Sequence, residues 1–71
     1  MAIEVRAHIA GTVWRIEKRS GDAVRAGDAV IILESMKMEV PVEAPANGKI
    51  AAISVTEGQT VDAGSVVATI V

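Results

Sequence analysis

Ile3, Val5 and Ala7 alternate with Glu4 and Arg6, and Met38, Val40, Val42 and Ala44 alternate with Glu39, Pro41 and Glu43. A period of two marks strands with one buried face. Farther along, Val13 and Ile16 break that period, and Ile50 and Ile53 break it in the same way. Such a phase slip predicts a β-bulge, or a strand that bends from one sheet to another. The continuous apolar runs from Ala29 to Leu33 and from Val66 to Val71 predict strands buried on both faces. Segments 21–27 and 58–64 begin and end with glycine, and they read as turns around one short strand each. Pro41 sits inside a strand-like run, which predicts an edge position or a ladder site that needs no N–H.

These elements repeat. Six glycines pair at one offset of 37 residues: Gly11 with Gly48, Gly21 with Gly58, Gly27 with Gly64. At that offset Val5 meets Val42, Ala7 meets Ala44, Ile16 meets Ile53, Val24 meets Val61 and Val30 meets Val67. Val13 meets Ile50 and Leu33 meets Ile70. Two copies are too few for a solenoid, so the repeat predicts one domain with approximate two-fold symmetry. The expected architecture is all-β: about eight short strands, four per copy, in a flattened barrel or sandwich that closes most sheet edges. The copies span about residues 3–34 and 40–71, joined by a hairpin at 34–39. Symmetry sets that hairpin opposite the chain ends, making it the one turn without a counterpart.

Composition supports the strands. Eleven Val, eight Ile and four Thr stand against one Leu. β-Branched side chains lose rotamer freedom in helices and pack well on pleated surfaces. Composition also removes functions. One aromatic residue, Trp14, makes no stacking platform for single-stranded nucleic acid. A net charge of −2 leaves no basic footprint, and Arg6, Arg15, Lys18, Arg19 and Arg25 are interleaved with Glu4, Glu17 and Asp22 as a solvated face. With no Cys there is neither a disulfide frame nor a Cys-based metal site, and His8 alone builds no zinc site. No stretch is apolar over a bilayer's width, and the first residues lack the apolar core of a secretion signal. A cytoplasmic protein, with neither nucleic acid nor membrane as partner, is the expectation.

The hairpin reads Glu34-Ser35-Met36-Lys37-Met38-Glu39. A two-residue hairpin turn favours Asn-Gly, because both central residues need positive φ. Here the central pair is Met36-Lys37, at a cost of about 1–3 kcal/mol per residue held in that region. A local rule broken without structural benefit points to function. A solvated lysine side chain is cationic at neutral pH. It is a poor base unaided, but a good acceptor for an enzyme that delivers an acyl group. A carboxylic cofactor joined there would form an arm on the order of 14 Å, from extended bonds of about 1.5 Å.

At these residues the chain resembles the biotinyl/lipoyl attachment domain family, most of all its stand-alone biotin carboxyl carriers. The likeness covers essentially the whole chain. It is carried by Glu34 to Glu39 and supported by Gly21-Asp22, Gly27-Asp28, Ala44-Pro45-Ala46-Asn47-Gly48 and Glu57-Gly58. It implies a barrel-sandwich hybrid of two four-stranded antiparallel sheets with pseudo-two-fold symmetry. It also implies biotin, attached to Lys37 through an amide by biotin protein ligase and ATP. Met36 and Met38 match positions read by the ligase, and Glu34 and Glu39 flank the site in a supporting role. The biotin would be carboxylated at a biotin carboxylase, and a carboxyltransferase would pass the carboxyl group to an acyl-CoA, commonly acetyl-CoA, as in fatty acid biosynthesis. The chain would be a ligase subunit without an active site of its own. Where relatives often have a Pro-Met-like segment, it has Ala7-His8-Ile9-Ala10. Equal glycine spacing leaves no room for the protruding thumb loop of some carriers. On this reading the protein is expected to do without the Ala/Pro-rich linker and docking segment of longer carriers.

Two other readings compete. A lipoyl carrier of a 2-oxoacid dehydrogenase shares the fold, but its tip resembles Asp-Lys-Ala and not Met36-Lys37-Met38. A cofactor-free β-barrel interaction module would leave Lys37 without a role. Trp14 faces Ala51 across the repeat, so symmetry requires no aromatic there, and both Trp14 and His8 read as boundary packing residues.

Overall fold

The computed structural model describes residues 2–71. Eight strands follow one another: β1 (Ile3–Arg6), β2 (Gly11–Ile16), β3 (Ala23–Val24), β4 (Ala29–Ser35), β5 (Met38–Glu43), β6 (Gly48–Ile53), β7 (Thr60–Val61) and β8 (Val66–Ile70). They form two antiparallel four-stranded sheets, ordered β1-β8-β6-β3 and β5-β4-β2-β7. Advancing each strand of the first sheet by four places, cyclically, gives the second. There is no thumb: the β2–β3 connection is as long as its counterpart between β6 and β7.

The copies interlock. β1 pairs with β8, β2 with β7 and β3 with β6, so neither half closes a sheet alone. The bonds between halves are reciprocal. Gly21 N–H donates to the Ile50 carbonyl and Gly58 N–H to the Val13 carbonyl, both at 2.8 Å. Gly27 N–H reaches the Ala44 carbonyl at 2.9 Å, and Gly64 N–H the Ala7 carbonyl at 2.7 Å.

The broken alternation is a bulge in each copy. On β2 the register slips between Val13 and Arg15, leaving Trp14 as the extra residue; on β6 it slips between Ile50 and Ala52 at Ala51. The bulge sends two consecutive side chains outward. Val13 and Ile50 are buried, Ile16 and Ile53 partly buried, and the pairs between them are exposed. The continuous apolar runs have the same origin, which corrects the expectation of strands covered on both faces. Val30 and Ile31 are both fully buried because β4 slips against β5 there, and Val67 and Ala68 repeat the feature where β8 slips against β1. One core takes both neighbours, and Ile32 turns outward and is half-buried.

That core is wholly aliphatic. Val5, Val13, Val30, Leu33, Val42, Ile50, Val67 and Ile70 are at most 1% exposed, and among the described residues no polar side chain is buried. β5 lies at a sheet edge, where Pro41 takes no bond from the ladder. Four turns share one construction. In the turn from Arg25 to Asp28, Gly27 holds φ at +94°, and Asp28 N–H donates to the Arg25 carbonyl at 2.9 Å. A type II turn needs positive φ at its third position, which glycine adopts without steric cost.

Gly11 serves a different purpose. A Cβ there would stand 2.7 Å from the Glu34 carbonyl oxygen, so its missing side chain lets β2 lie close under the hairpin. Gly11→Ala is expected to cost about 1–3 kcal/mol, the scale of overpacking. Gly48→Ala, whose Cβ would meet the Val71 carbonyl oxygen at 2.6 Å, should cost a similar amount. Urea midpoints of the two variants check this.

Candidate functional site: the β4–β5 turn

β4 ends at Ser35 and β5 begins at Met38, and the two residues face each other across the ladder. Two residues therefore make the turn. Met36 has φ of 53° and Lys37 of 65°, both in the left-handed region and both without the glycine that would relax it. A turn of this hand suits the right-handed twist of the flanking strands. The strands hold the turn in place. β4 lies between β5 and β2, and Leu33 and Val42 anchor the hairpin in the core. A strained conformation of this sort persists only where its surroundings over-determine it.

The tip is bare. Met36 is 92% exposed and Met38 64%. Lys37 is exposed, and among the described residues its amine has no ion-pair or hydrogen-bond partner. The other lysines are placed differently. Lys18 Nζ stands 4.0 Å from Asp28, and Lys49 lies within β6 with its backbone bonded to Val71. One step below the turn, Glu34 and Glu39 face each other directly across the strands, both exposed. Like charges directly opposite destabilise a strand pair. Symmetry-related positions 71 and 2 hold Val and Ala, so the acidic pair is peculiar to this hairpin.

Met36, Lys37, Met38, Glu34 and Glu39 thus gather at one end of one hairpin. Trp14 and His8 depart from the expected packing role. Trp14 is 44% exposed, and the Arg15 guanidinium lies 4.9 Å from its ring centre. His8 is exposed at the rim of a groove of about 550 Å³ that Arg6 and Pro41 also line. The bulge explains Trp14: it faces outward because the register slips at that residue.

An exposed amine on a rigid tip, outside the grooves and without an acid–base partner, is suited to being acylated. The residues therefore fit a cofactor held by an amide bond, which needs one accessible amine and a partner enzyme's room around it.

Comparison with known proteins agrees with this geometry. The family described as "Biotin-requiring enzyme" matches residues 1–70. The biotinylated protein TB7.3 homolog of Mycobacterium leprae is 41% identical over 70 residues, 99% of each chain. The biotin/lipoyl attachment protein of Bacillus subtilis is 39% identical over 62 residues, covering 87% of this chain and 85% of its own. Among solved structures, the urea carboxylase of Kluyveromyces lactis superposes with a TM-score of 0.95 at 41% identity, over all of this chain and 6% of that one.

Proposed function

This chain belongs to the biotin and lipoyl attachment family, as a biotinyl domain of the kind found in biotin-dependent carboxylases, and from that premise we propose that its 71 residues act as one carrier with biotin on Lys37. The observation that carries the proposal is the turn itself: an unpaired amine exposed between Met36 and Met38, in a backbone conformation that glycine would adopt more easily.

When bound, biotin supplies a ring nitrogen that accepts and releases a carboxyl group. The chain's residues do the rest. Lys37 gives the amine to an amide bond and loses its positive charge. Met36 and Met38 offer biotin protein ligase two apolar contacts beside that amine. The β4–β5 ladder holds the tip away from the barrel, so an arm of about 14 Å swings from a fixed root. The carrier serves a biotin carboxylase, which uses ATP and bicarbonate, and a carboxyltransferase that delivers the carboxyl group to an acyl-CoA such as acetyl-CoA. Its place is the cytoplasm.

Intact mass of the protein from its own cells tests the attachment. A single biotin increment is expected, and a lipoyl increment or an unmodified mass overturns it. Avidin capture should disappear in Lys37→Ala and persist in Lys18→Ala and Lys49→Ala. For the methionines, Met36→Ala and Met38→Ala are expected to lower kcat/KM for biotin incorporation. Their unfolding free energies should stay within about 0.5 kcal/mol, as for exposed side chains generally.

A further inference from the structure

The internal repeat supplies its own control. Trp14, Arg15, Ile32 and Pro41 on the hairpin-bearing sheet each have a counterpart 37 residues away at the same register position on the other sheet. A side chain required by the fold should appear in both. The cores obey this, as Val5/Val42, Val30/Val67 and Leu33/Ile70 show, and all six are at most 1% exposed.

The outer faces do not. On the hairpin sheet, Arg15, Ile32 and Pro41 form one row across β2, β4 and β5, with Trp14 beside it at the bulge. The counterparts are Ala52, Thr69, Glu4 and, for Trp14, Ala51. Alanine makes the same bulge, so the fold does not need the indole. Trp14 is 44% exposed, Pro41 exposed and Ile32 half-buried. Glu34 and Glu39 border this row on the side of the turn; on the other side Glu43 shares the groove at Pro41 with Arg6 and His8. The Arg15 guanidinium is engaged by the Trp14 ring and by Glu17 at 3.6 Å. An apolar centre with an acidic edge towards the turn lies on the sheet that carries Lys37, and its equivalent is missing from the other.

We propose that this face, centred on Trp14 and Ile32, is where the carrier docks on a biotin carboxylase, against an apolar patch with a basic rim. The inference rests on the attachment of biotin to Lys37. Charge selects the occupant. ATP and bicarbonate are both anions, so a site that gathers them carries positive potential at its mouth. An acidic edge continuous with the turn complements it. Acylation removes the one lysine charge at the tip, taking the net charge from −2 to −3, so the loaded carrier is the more acidic form. The Ile32 row lies three residues below Ser35, or about 10 Å along the strand. A partner seated there leaves the tip free to enter its active site.

Nuclear magnetic resonance of the whole ¹⁵N-labelled chain tests the docking. Trp14 gives the only indole N–H signal. On titration with the biotin carboxylase of the same cells, that signal and the amides of Thr12, Ile32 and Glu39 should shift or broaden. The amides of Glu4, Ala51 and Thr69 should not. Trp14→Ala and Ile32→Thr copy residues that the fold already accepts at the equivalent places. With biotin loading verified by avidin, each is expected to raise KM of the carrier for biotin carboxylase about tenfold, the order lost with a central aromatic contact. kcat, and the enzyme's KM for free biotin, should not change. Perturbation of the turn alone, of the opposite face, or by the carboxyltransferase instead overturns the proposal, as does an unchanged KM in a loaded variant. An avidin-negative chain overturns the attachment at Lys37, while the titration of that unmodified chain still decides the docking face.

Discussion

Replacing Met36-Lys37 by Asn-Gly is expected to yield a more stable protein that takes up no biotin. Both residues sit at positive φ, Met36 at 53° and Lys37 at 65°. Each non-glycine residue there costs on the order of 1–3 kcal/mol, and Asn-Gly is the pair this turn favours. A gain of about 2 kcal/mol would raise the melting temperature by roughly 10 °C in a domain of this size. Incorporation falls to zero because the amine has gone. Met36→Asn alone separates the two effects: it keeps the Lys37 amine, so it should still take up biotin, at the lowered kcat/KM expected of a Met36 variant, while recovering part of the stability. Thermal unfolding followed by circular dichroism, with an avidin blot of the same samples, reads both. A melting temperature that falls, or does not move, would show that the turn stores no strain.

Leu33→Ala is expected to cost about 2–5 kcal/mol, the range for a large aliphatic side chain removed from a packed core. Leu33 is the only leucine, is fully buried, and lies between Val13 on β2 and Val40 on β5. At roughly 0.05–0.15 kcal/mol per residue, a chain of this length has little stability in reserve. A large share of that stability would go, and the hairpin would lose the anchor nearest its tip. Val71→Ala, at a site 62% exposed, should move the urea midpoint little. Equal midpoints for the two variants would contradict the assignment of the core to this aliphatic layer.

Much of the fold was legible because the repeat records it twice. A slip in alternation at Val13 and Ile16 is ambiguous by itself, and the same slip at Ile50 and Ile53 makes it a bulge, since chance would not place both at one offset. The turn was legible for a different reason: a two-residue loop needs positive φ, and Met36-Lys37 meets that need poorly. The runs from Ala29 to Leu33 and from Val66 to Val71 were misread. Periodicity cannot distinguish two covered faces from a bulge that sends neighbours into one core, because both leave consecutive apolar residues. Trp14 was misread as packing, since nothing in a sequence tells on which side of a bulge the extra residue emerges.

The sequence by itself determined the strand count, the two-fold relation of the halves, the two-residue turn and the candidate lysine. All of these are set by local periodicity, glycine spacing and turn chemistry, which act over a few residues. Only the tertiary structure decided which strands cross between the halves, how Val30 and Ile31 share one core, and which side chains the two bulges leave outside. It alone set Glu34 against Glu39 and gathered Trp14, Ile32 and Pro41 on the sheet that carries Lys37. Those neighbours come from three strands, and their meeting depends on a register fixed by packing the whole barrel.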